Sequence, residues 1–185
     1  MLKISRLRRT VFIALLAAIA MLLMHTGTAL IPAARYLKFE PSGAIILICG
    51  LLLGPAAAAE CAVVKCILYF ISHGGSPYGH LSDLIAMLSF ACVACAFAHK
   101  FGISDAKKRI LTCAIGMLTV TIVMIPANYI ILYLQYGMSA EAVSATMIYV
   151  IPYNLLKAGL NSVVGLVLYL PVYKALSKME QSPQA

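Results

Sequence analysis

The sequence predicts an all-α integral membrane protein with about six transmembrane helices. Of its 185 residues, 63% are hydrophobic and only 11% are charged, whereas soluble domains carry about 25% charged residues. The apolar residues form long runs separated by short polar stretches, as membrane-spanning helices require. The length suits a single transmembrane domain, which we expect to cover residues 1–178, followed by a disordered cytoplasmic tail at 179–185.

The placement of the basic residues predicts the topology. The net charge is +8, and ten of the fourteen basic residues cluster beside the ends of apolar runs, at 3–9, 100–109 and 174–178. This is the positive-inside pattern of membrane proteins. We therefore predict a plasma-membrane protein whose two termini both lie on the cytoplasmic side. The same clustering argues against nucleic acid as a partner.

The apolar runs predict six helices of unequal length. The first follows basic residues like a signal peptide, but it is longer than a typical signal h-region and more spans follow it. The second is short for a hydrocarbon core that needs about 20 residues per helix. Prolines 126, 152 and 171 predict kinks or local breaks in the last two helices. The expected helices are Thr10–Leu30, Gly43–Leu53, Ala56–Ser72, His80–His99, Ile110–Leu134 and Ala145–Leu176.

A polar face on the last helix is the best candidate site. Asn154, Lys157 and Asn161 are spaced i, i+3 and i+7, which places them on one side of a helix. Their amides and ammonium suit a neutral or mildly anionic ligand with carbonyl oxygens and ring nitrogens. The alternative is a polar seam between helices, or a lysine that reaches the membrane surface.

Other polar and aromatic residues extend this candidate site. Asn128 in the fifth helix is a second buried amide, which either faces the same cavity or bonds to a neighbouring helix. Tyr36 and Phe39 in the first loop, with Tyr78 in the next, either stack on a planar ligand or anchor the membrane interface.

The remaining ionisable residues in or near the apolar segments receive structural interpretations. We expect Glu60 and Lys65 in the third helix to meet partners from other helices or to lie near a membrane face. Asp83 is interpreted as a first-turn acid favoured by the helix dipole. The histidines 25, 73 and 80 suggest a small membrane enzyme that acts on lipids, but isolated histidines at helix ends are usually interfacial residues.

Ala14 and Ala18 form a small-xxx-small pair on the first helix. Such a pair allows close approach of another helix, either within this chain or from a partner protein. The six cysteines all lie in apolar segments, and no zinc-type spacing accompanies the pair Cys92 and Cys95. We therefore predict no metal site, no cofactor and no disulfide framework.

Several motifs of catalysis are absent from the sequence. It contains no GxxxxGK[ST] phosphate loop, no HExxH and no GxSxG, and no segment holds a pair of carboxylates. These absences argue against an enzyme and against ATP hydrolysis by this chain. A subunit that only assembles with others would have no need for the polar face at 154–161.

Taken in order, several segments resemble one family of transporter subunits. The segment Tyr36–Ser42, the following apolar stretch with Leu53-Gly54-Pro55, Lys65, Asn128-Tyr129 and the run from Pro152 to Ser162 resemble the substrate-binding S components of energy-coupling factor (ECF) transporters, in particular their riboflavin-type members. The resemblance covers roughly Thr10 to Ser177.

The resemblance implies a six-helix S-component bundle with an outward-facing vitamin pocket, roofed by the loop after the first helix. It implies that Asn128, Asn154 and Lys157 bind the polar edge of riboflavin, and that Ala14 and Ala18 dock the membrane-embedded T component. Two ATPase subunits would complete the importer, and the S component would perform no covalent chemistry.

Two departures from the riboflavin-type pattern leave the vitamin open. Gly43 stands where those relatives tend to have an acidic residue. The loop from Gly74 to Asp83 contains Pro77, His80 and Asp83 instead of a glycine-rich stretch followed by Glu and Asn. An S component for another vitamin or cofactor precursor is therefore the alternative, although the absence of tryptophan argues against a thiamine-like pocket.

Overall fold

The first and third helices flank a short central helix. The computed structural model describes residues 5–29, 37–103 and 105–181. Helix α1 (Arg6–Met24) is followed by strand β1 (Thr28–Ala29), strand β2 (Lys38–Phe39) and α2 (Ser42–Leu53). The tight turn at Gly54, with φ 103°, leads directly into α3 (Pro55–His73), because glycine tolerates that backbone angle without strain.

The three remaining helices are longer. Helix α4 (Pro77–Phe101) contains a π-helical turn at Leu88–Cys92. Helix α5 (Ala106–Tyr136) and helix α6 (Ala140–Gln181) complete the bundle. The six predicted helices are thus confirmed, in the predicted order.

Five of these helices are long and apolar enough to cross a membrane, and α2 is the exception. With 12 residues it extends roughly 18 Å at 1.5 Å per residue. Every residue of α2 except Ile45 is buried, and the helix packs against α1, α3 and α6. Its apolar surface is therefore covered by protein rather than by lipid, which explains how so short an apolar helix is accommodated.

Several boundaries and local features differ from the sequence predictions. Helix α1 ends at Met24, and α4 begins at Pro77 because proline is favourable at the first helical position. Helices α5 and α6 continue through Pro126, Pro152 and Pro171, so the expected breaks do not occur.

The last helix extends further than predicted at both ends, from Ala140 through Gln181. It therefore overlaps the predicted tail at 179–185, of which residues 182–185 lie outside the described part of the chain.

Close contacts between helices occur where small residues lie. A Cβ atom at Gly50 in α2 would overlap Cys95 Sγ and come 2.8 Å from the Ala58 side chain. At Gly116 in α5 it would come 2.8 Å from the Phe90 carbonyl oxygen in the π-helical turn. Cys95 is fully buried, in agreement with the packing role predicted for the cysteines. The small residues allow the helix backbones to approach closely.

An exposed ion pair joins α1 to α3. The Arg9 guanidinium donates two hydrogen bonds to the Glu60 carboxylate, at 3.2 and 2.9 Å. The two side chains are 33% and 47% exposed. The expectation that Glu60 meets a partner from another helix is thus confirmed.

Candidate ligand-binding site

A cavity of about 240 Å³ lies at the end of the bundle where α1 ends and α6 begins. We call it the Lys157 cavity. Its volume is near the lower end of the range of about 300–1,000 Å³ that is typical of small-molecule pockets. Apolar side chains from α1, α4 and α5 contribute to the walls. The polar and charged lining residues are Lys38, Glu40, Ser82, Asp83, Asn128, Gln135, Asn154 and Lys157.

Four charged side chains form a network beside this cavity. Lys157 Nζ lies 2.7 Å from Glu40 Oε1 and 3.2 Å from Asp83 Oδ1. The other carboxylate oxygen of Asp83 pairs with Lys65. None of the four side chains is more than 10% exposed. Two cations and two anions balance, so the buried network has no net charge.

This network explains how two lysines persist inside a membrane protein. A charged side chain in a bilayer core is costly and is usually paired with an opposite charge. Lys65 is fully buried in α3, and its counter-ion, Asp83, comes from α4. Asp83 lies well past the first turn of α4, which begins at Pro77. The helix-dipole interpretation of Asp83 was therefore wrong, and its role is to join α3, α4 and α6.

Two predicted amides converge on the cavity with Lys157. Asn128 Nδ2 donates to the Met124 carbonyl and Asn154 Nδ2 to the Val150 carbonyl, each at 2.8 Å within its own helix. Neither amide oxygen has a hydrogen-bond partner among the described residues. The site therefore presents two acceptors from α5 and α6 beside the Lys157 ammonium, a donor.

The structure places Asn161 outside the lining of the Lys157 cavity. Its Oδ1 atom accepts a hydrogen bond of 2.8 Å from the Ala44 amide at the start of α2. Its Nδ2 atom donates to the Lys157 carbonyl at 2.9 Å and to the Glu40 carbonyl at 3.4 Å. Asn161 was predicted to face the ligand with Asn154 and Lys157, whereas in the structure its amide contacts the backbone of Ala44 and Glu40.

Gly43 makes room for this arrangement. A Cβ atom at position 43 would lie 3.0 Å from Asn161 Cγ and 3.1 Å from its Oδ1 atom. An acidic side chain there would compete with Asn161 for the same space. The glycine that stands here instead of an acidic residue therefore lies at a direct contact between α2 and α6.

Leu37, Lys38 and Glu40 form one side of the cavity. The Tyr153 hydroxyl donates a hydrogen bond of 2.6 Å to the Lys38 carbonyl, which attaches β2 to α6. Strand β2 pairs antiparallel with β1, Thr28 opposite Phe39. Lys38 and Glu40 line the cavity, whereas Phe39 is absent from the described lining residues, because alternate residues of a strand face opposite sides.

The remaining predicted aromatic contacts are not part of the described cavity wall. Tyr36 lies outside the described residues. Tyr78 is 40% exposed at the start of α4 and does not belong to the lining set. Tyr69 of α3 does line the cavity, although the sequence analysis did not select it.

The three histidines near this end of the bundle pack around Tyr69. The ring centroids of His25, His73 and His80 lie 4.8, 5.0 and 5.5 Å from that of Tyr69. His80 Nε2 also lies 2.8 Å from the Gly74 carbonyl oxygen. These contacts bring α1, α3 and α4 together and provide no pair of a nucleophile and a base.

Sequence reasoning missed Glu40, Asp83 and Tyr153 as part of the site. A signal for the two carboxylates was present, because two intramembrane lysines require counter-ions and the chain has only six acidic residues. No comparable signal existed for Tyr153, since its hydroxyl bonds to a backbone carbonyl 115 residues away.

On α1, Ala14 is exposed and Ala18 is partly buried. The neighbouring side chains Val11, Leu15 and Leu22 are 59%, 55% and 65% exposed. The described part of the chain therefore leaves this apolar face open to lipid or to another protein.

Comparisons with known proteins agree on one family. The sequence profile described as "ECF transporter, substrate-specific component" matches residues 8–169. A riboflavin transporter RibU of Streptococcus thermophilus (strain ATCC BAA-250 / LMG 18311) is 28% identical over 183 residues, covering 93% of this chain and 86% of the relative. A riboflavin transporter RibU of Staphylococcus aureus (strain TCH60) is 28% identical over 173 residues, covering 88% of each chain.

A solved structure shows the same fold. It is described as "Structure and mechanism of the S component of a bacterial ECF transporter" and matches with a TM-score of 0.80 and 27% identity, over 96% of this chain and 100% of that chain. The matched family consists of transporter components and not of enzymes, so the alternative of a lipid-directed enzyme is excluded. The chain belongs to the substrate-specific components, or S components, of ECF transporters.

Proposed function

We propose that this S component captures riboflavin in the Lys157 cavity and delivers it across the plasma membrane. The observation that carries the proposal is the convergence of two free amide oxygens and one ammonium on a cavity whose buried charges cancel. Riboflavin is neutral, and its ring system carries an imide, in which one N–H lies between two carbonyl oxygens. Such a group donates its one N–H to the amide oxygen of Asn128 or of Asn154, and a carbonyl oxygen accepts from Lys157.

Two further facts support riboflavin as the ligand. Both curated relatives named above are called riboflavin transporters. The zero net charge of the network disfavours a ligand with a strong charge of its own, because that charge would be buried without a counter-ion.

The first experiment is purification in mild detergent, followed by absorbance and fluorescence spectra. We expect copurified flavin, and tight riboflavin binding when the stripped protein is titrated. Failure of both measurements would remove riboflavin and leave an S component for another vitamin or cofactor precursor.

The second experiment identifies the contacts. Asn154→Leu keeps the size of the side chain but removes its acceptor, and we expect roughly a tenfold or greater loss of affinity. Thr119→Val is the matched control, since Thr119 bonds only to the Ile115 carbonyl of its own helix. Lys157→Ala should also weaken binding. It should be combined with Glu40→Gln, because Lys157 alone neutralises Glu40.

We further propose that the exposed face of α1 around Ala14 and Ala18 docks an ECF T component, which works with two ATPase subunits. Ala14→Leu or Ala18→Leu should impair assembly and uptake while riboflavin binding stays intact. Val167→Leu is the control, since it adds bulk at a position of α6 that is 67% exposed. Normal assembly of both Ala14→Leu and Ala18→Leu would argue against docking at this face.

The proposed orientation places both termini in the cytoplasm. A carboxyl-terminal fluorescent protein should then fold and fluoresce, and an alkaline phosphatase fused at the same point should be inactive. The reverse result would contradict the orientation that the basic clusters predict.

A further inference from the structure

A second cavity, of about 440 Å³, lies at the opposite end of the bundle. We call it the Arg109 cavity. It is enclosed by the end of α4, the start of α5 and the last third of α6, whereas the Lys157 cavity lies at the other ends of the same helices. Its polar and aromatic lining residues are His99, Arg109, Tyr169 and Tyr173. Leu51, Ile103 and Leu170 are its large aliphatic lining residues.

Positive charge at this cavity is not balanced by the described residues. No acidic side chain among the described residues lines it. The half-buried Arg109 side chain forms no ion pair or hydrogen bond with any described residue. Asp105, one helical turn earlier, is exposed and forms no ion pair with Arg109. Lys107 and Lys108 add exposed positive charge in the same segment.

The hydroxyl-bearing side chain of Tyr169 lies in the same wall. The Tyr169 side chain is only 8% exposed, and its hydroxyl has no hydrogen bond to a described residue. Its ring stacks on that of Tyr173 with centroids 5.8 Å apart. A hydroxyl that lines a cavity and has no described partner can donate a hydrogen bond to a polar ligand that enters it.

We propose that the Arg109 cavity binds the phosphate headgroup of an anionic phospholipid. A guanidinium matches the oxygens of a phosphate with paired hydrogen bonds, and the Tyr169 hydroxyl can donate another. Basic pockets between transmembrane helices at the cytoplasmic side suit such headgroups.

The position favours a lipid over free phosphate. The cavity lies where the spans end, and its aliphatic residues fit the glycerol and upper acyl region. A zwitterionic lipid is less suitable, because no described acidic residue lines the cavity to pair with its ammonium. This proposal does not depend on which vitamin the Lys157 cavity binds.

The test is native mass spectrometry of the full chain in mixed micelles that contain phosphatidylglycerol and phosphatidylcholine in equal amounts. We expect one phosphatidylglycerol to be retained preferentially. Arg109→Gln should reduce its occupancy roughly tenfold, the size expected when a hydrogen-bonded charge pair is lost. Tyr169→Phe should reduce it by about threefold while keeping the ring in place.

Matched variants separate a site from general attraction. Lys108→Gln removes the same charge from an exposed neighbour outside the cavity, and Tyr133→Phe removes an exposed hydroxyl elsewhere on α5. Both should leave occupancy nearly unchanged. Thermal unfolding in phosphatidylcholine alone checks that each variant is folded, and Tyr169→Phe provides the decisive comparison if Arg109→Gln unfolds.

Three results would overturn the proposal. Equal retention of the two lipids by the unmodified chain would show no preference for anionic headgroups. Equal losses in Arg109→Gln and Lys108→Gln would show surface electrostatics only. Displacement of phosphatidylglycerol by millimolar inorganic phosphate would assign the cavity to a free anion instead.

Discussion

The two cavities at opposite ends of the bundle differ in how their charges are balanced. At the Lys157 cavity, the buried Lys65 and Lys157 face two buried carboxylates, so the buried charges are all paired, and the further lining cation, Lys38, is exposed. At the Arg109 cavity, the guanidinium has no partner among the described residues and no acidic residue lines the wall.

This difference explains how one bundle can select ligands of different charge at its two ends. A balanced and buried network needs no ligand to neutralise its charges, and it favours a neutral ligand that exchanges hydrogen bonds with amides. An unpaired cation at the end of a span leaves its favourable interaction to be made by an external anion.

The largest expected effect comes from breaking the balance of the Lys157 cavity. Asp83→Asn leaves the fully buried Lys65 without its counter-ion, and we expect the protein to lose about 3–5 kcal/mol of stability. Unfolding by sodium dodecyl sulfate in mixed micelles measures this loss. Adding Lys65→Met should recover much of it, because both buried charges are then removed together.

The control for Asp83→Asn is Glu60→Gln, the same chemical change at the exposed pair with Arg9. It should cost less than about 1 kcal/mol, since solvent screens that pair. If Asp83→Asn were as mild as Glu60→Gln, the buried network would not support the bundle in the way described.

A smaller effect is expected from the contact below the Lys157 cavity. Asn161→Ala removes the acceptor of the Ala44 amide, and a buried donor that loses its partner costs about 1–3 kcal/mol. The lower half of this range is expected, because the same amide lies 3.1 Å from the Pro41 carbonyl. The unfolding titration described above measures the change.

Gly43→Ala provides the partner of Asn161→Ala in a double-mutant cycle. The added methyl should cost about 1 kcal/mol by crowding the Asn161 amide. In the Asn161→Ala background the methyl has room, so its cost should disappear. Additive costs would show that Gly43 is not required by Asn161.

The smallest expected effect is the change in ligand binding with salt concentration. Raising the salt concentration from about 50 to 500 mM shortens the Debye length several-fold. Riboflavin affinity should change less than about twofold, because the charges at its cavity are buried and balanced. Retention of phosphatidylglycerol should fall measurably over the same range. A strong salt dependence of riboflavin binding would contradict the balance at the Lys157 cavity.

Much of the fold was predictable because membrane-spanning segments obey simple rules. Long apolar runs defined the six helices, and the short second helix was recognised from its length. The missed features lie where no single residue carries a signal, as at the π-helical turn Leu88–Cys92 and the small sheet after α1. Of the kinks or local breaks predicted at the prolines, the breaks do not occur, since α5 and α6 continue through all three.

The candidate site was only partly predictable. The spacing of Asn154, Lys157 and Asn161 identified a polar face on α6, because helical periodicity is local. Which of the three residues line the cavity depended on the neighbouring α2. The Ala44 amide in its first turn donates a hydrogen bond to the Asn161 side chain. Phe39 was selected for its aromatic ring, but its two neighbours, Lys38 in β2 and Glu40 just after it, line the cavity instead.

Local rules thus set the membrane class, the helix order and the presence of intramembrane lysines, since each follows from composition and periodicity along the chain. The pairing of these lysines could come only from the tertiary structure. Lys65 meets Asp83 across 18 positions, and Lys157 meets Asp83 across 74. Such pairs form because buried charges need opposite charges close by, and only the packing of α3, α4 and α6 decides which charges are close.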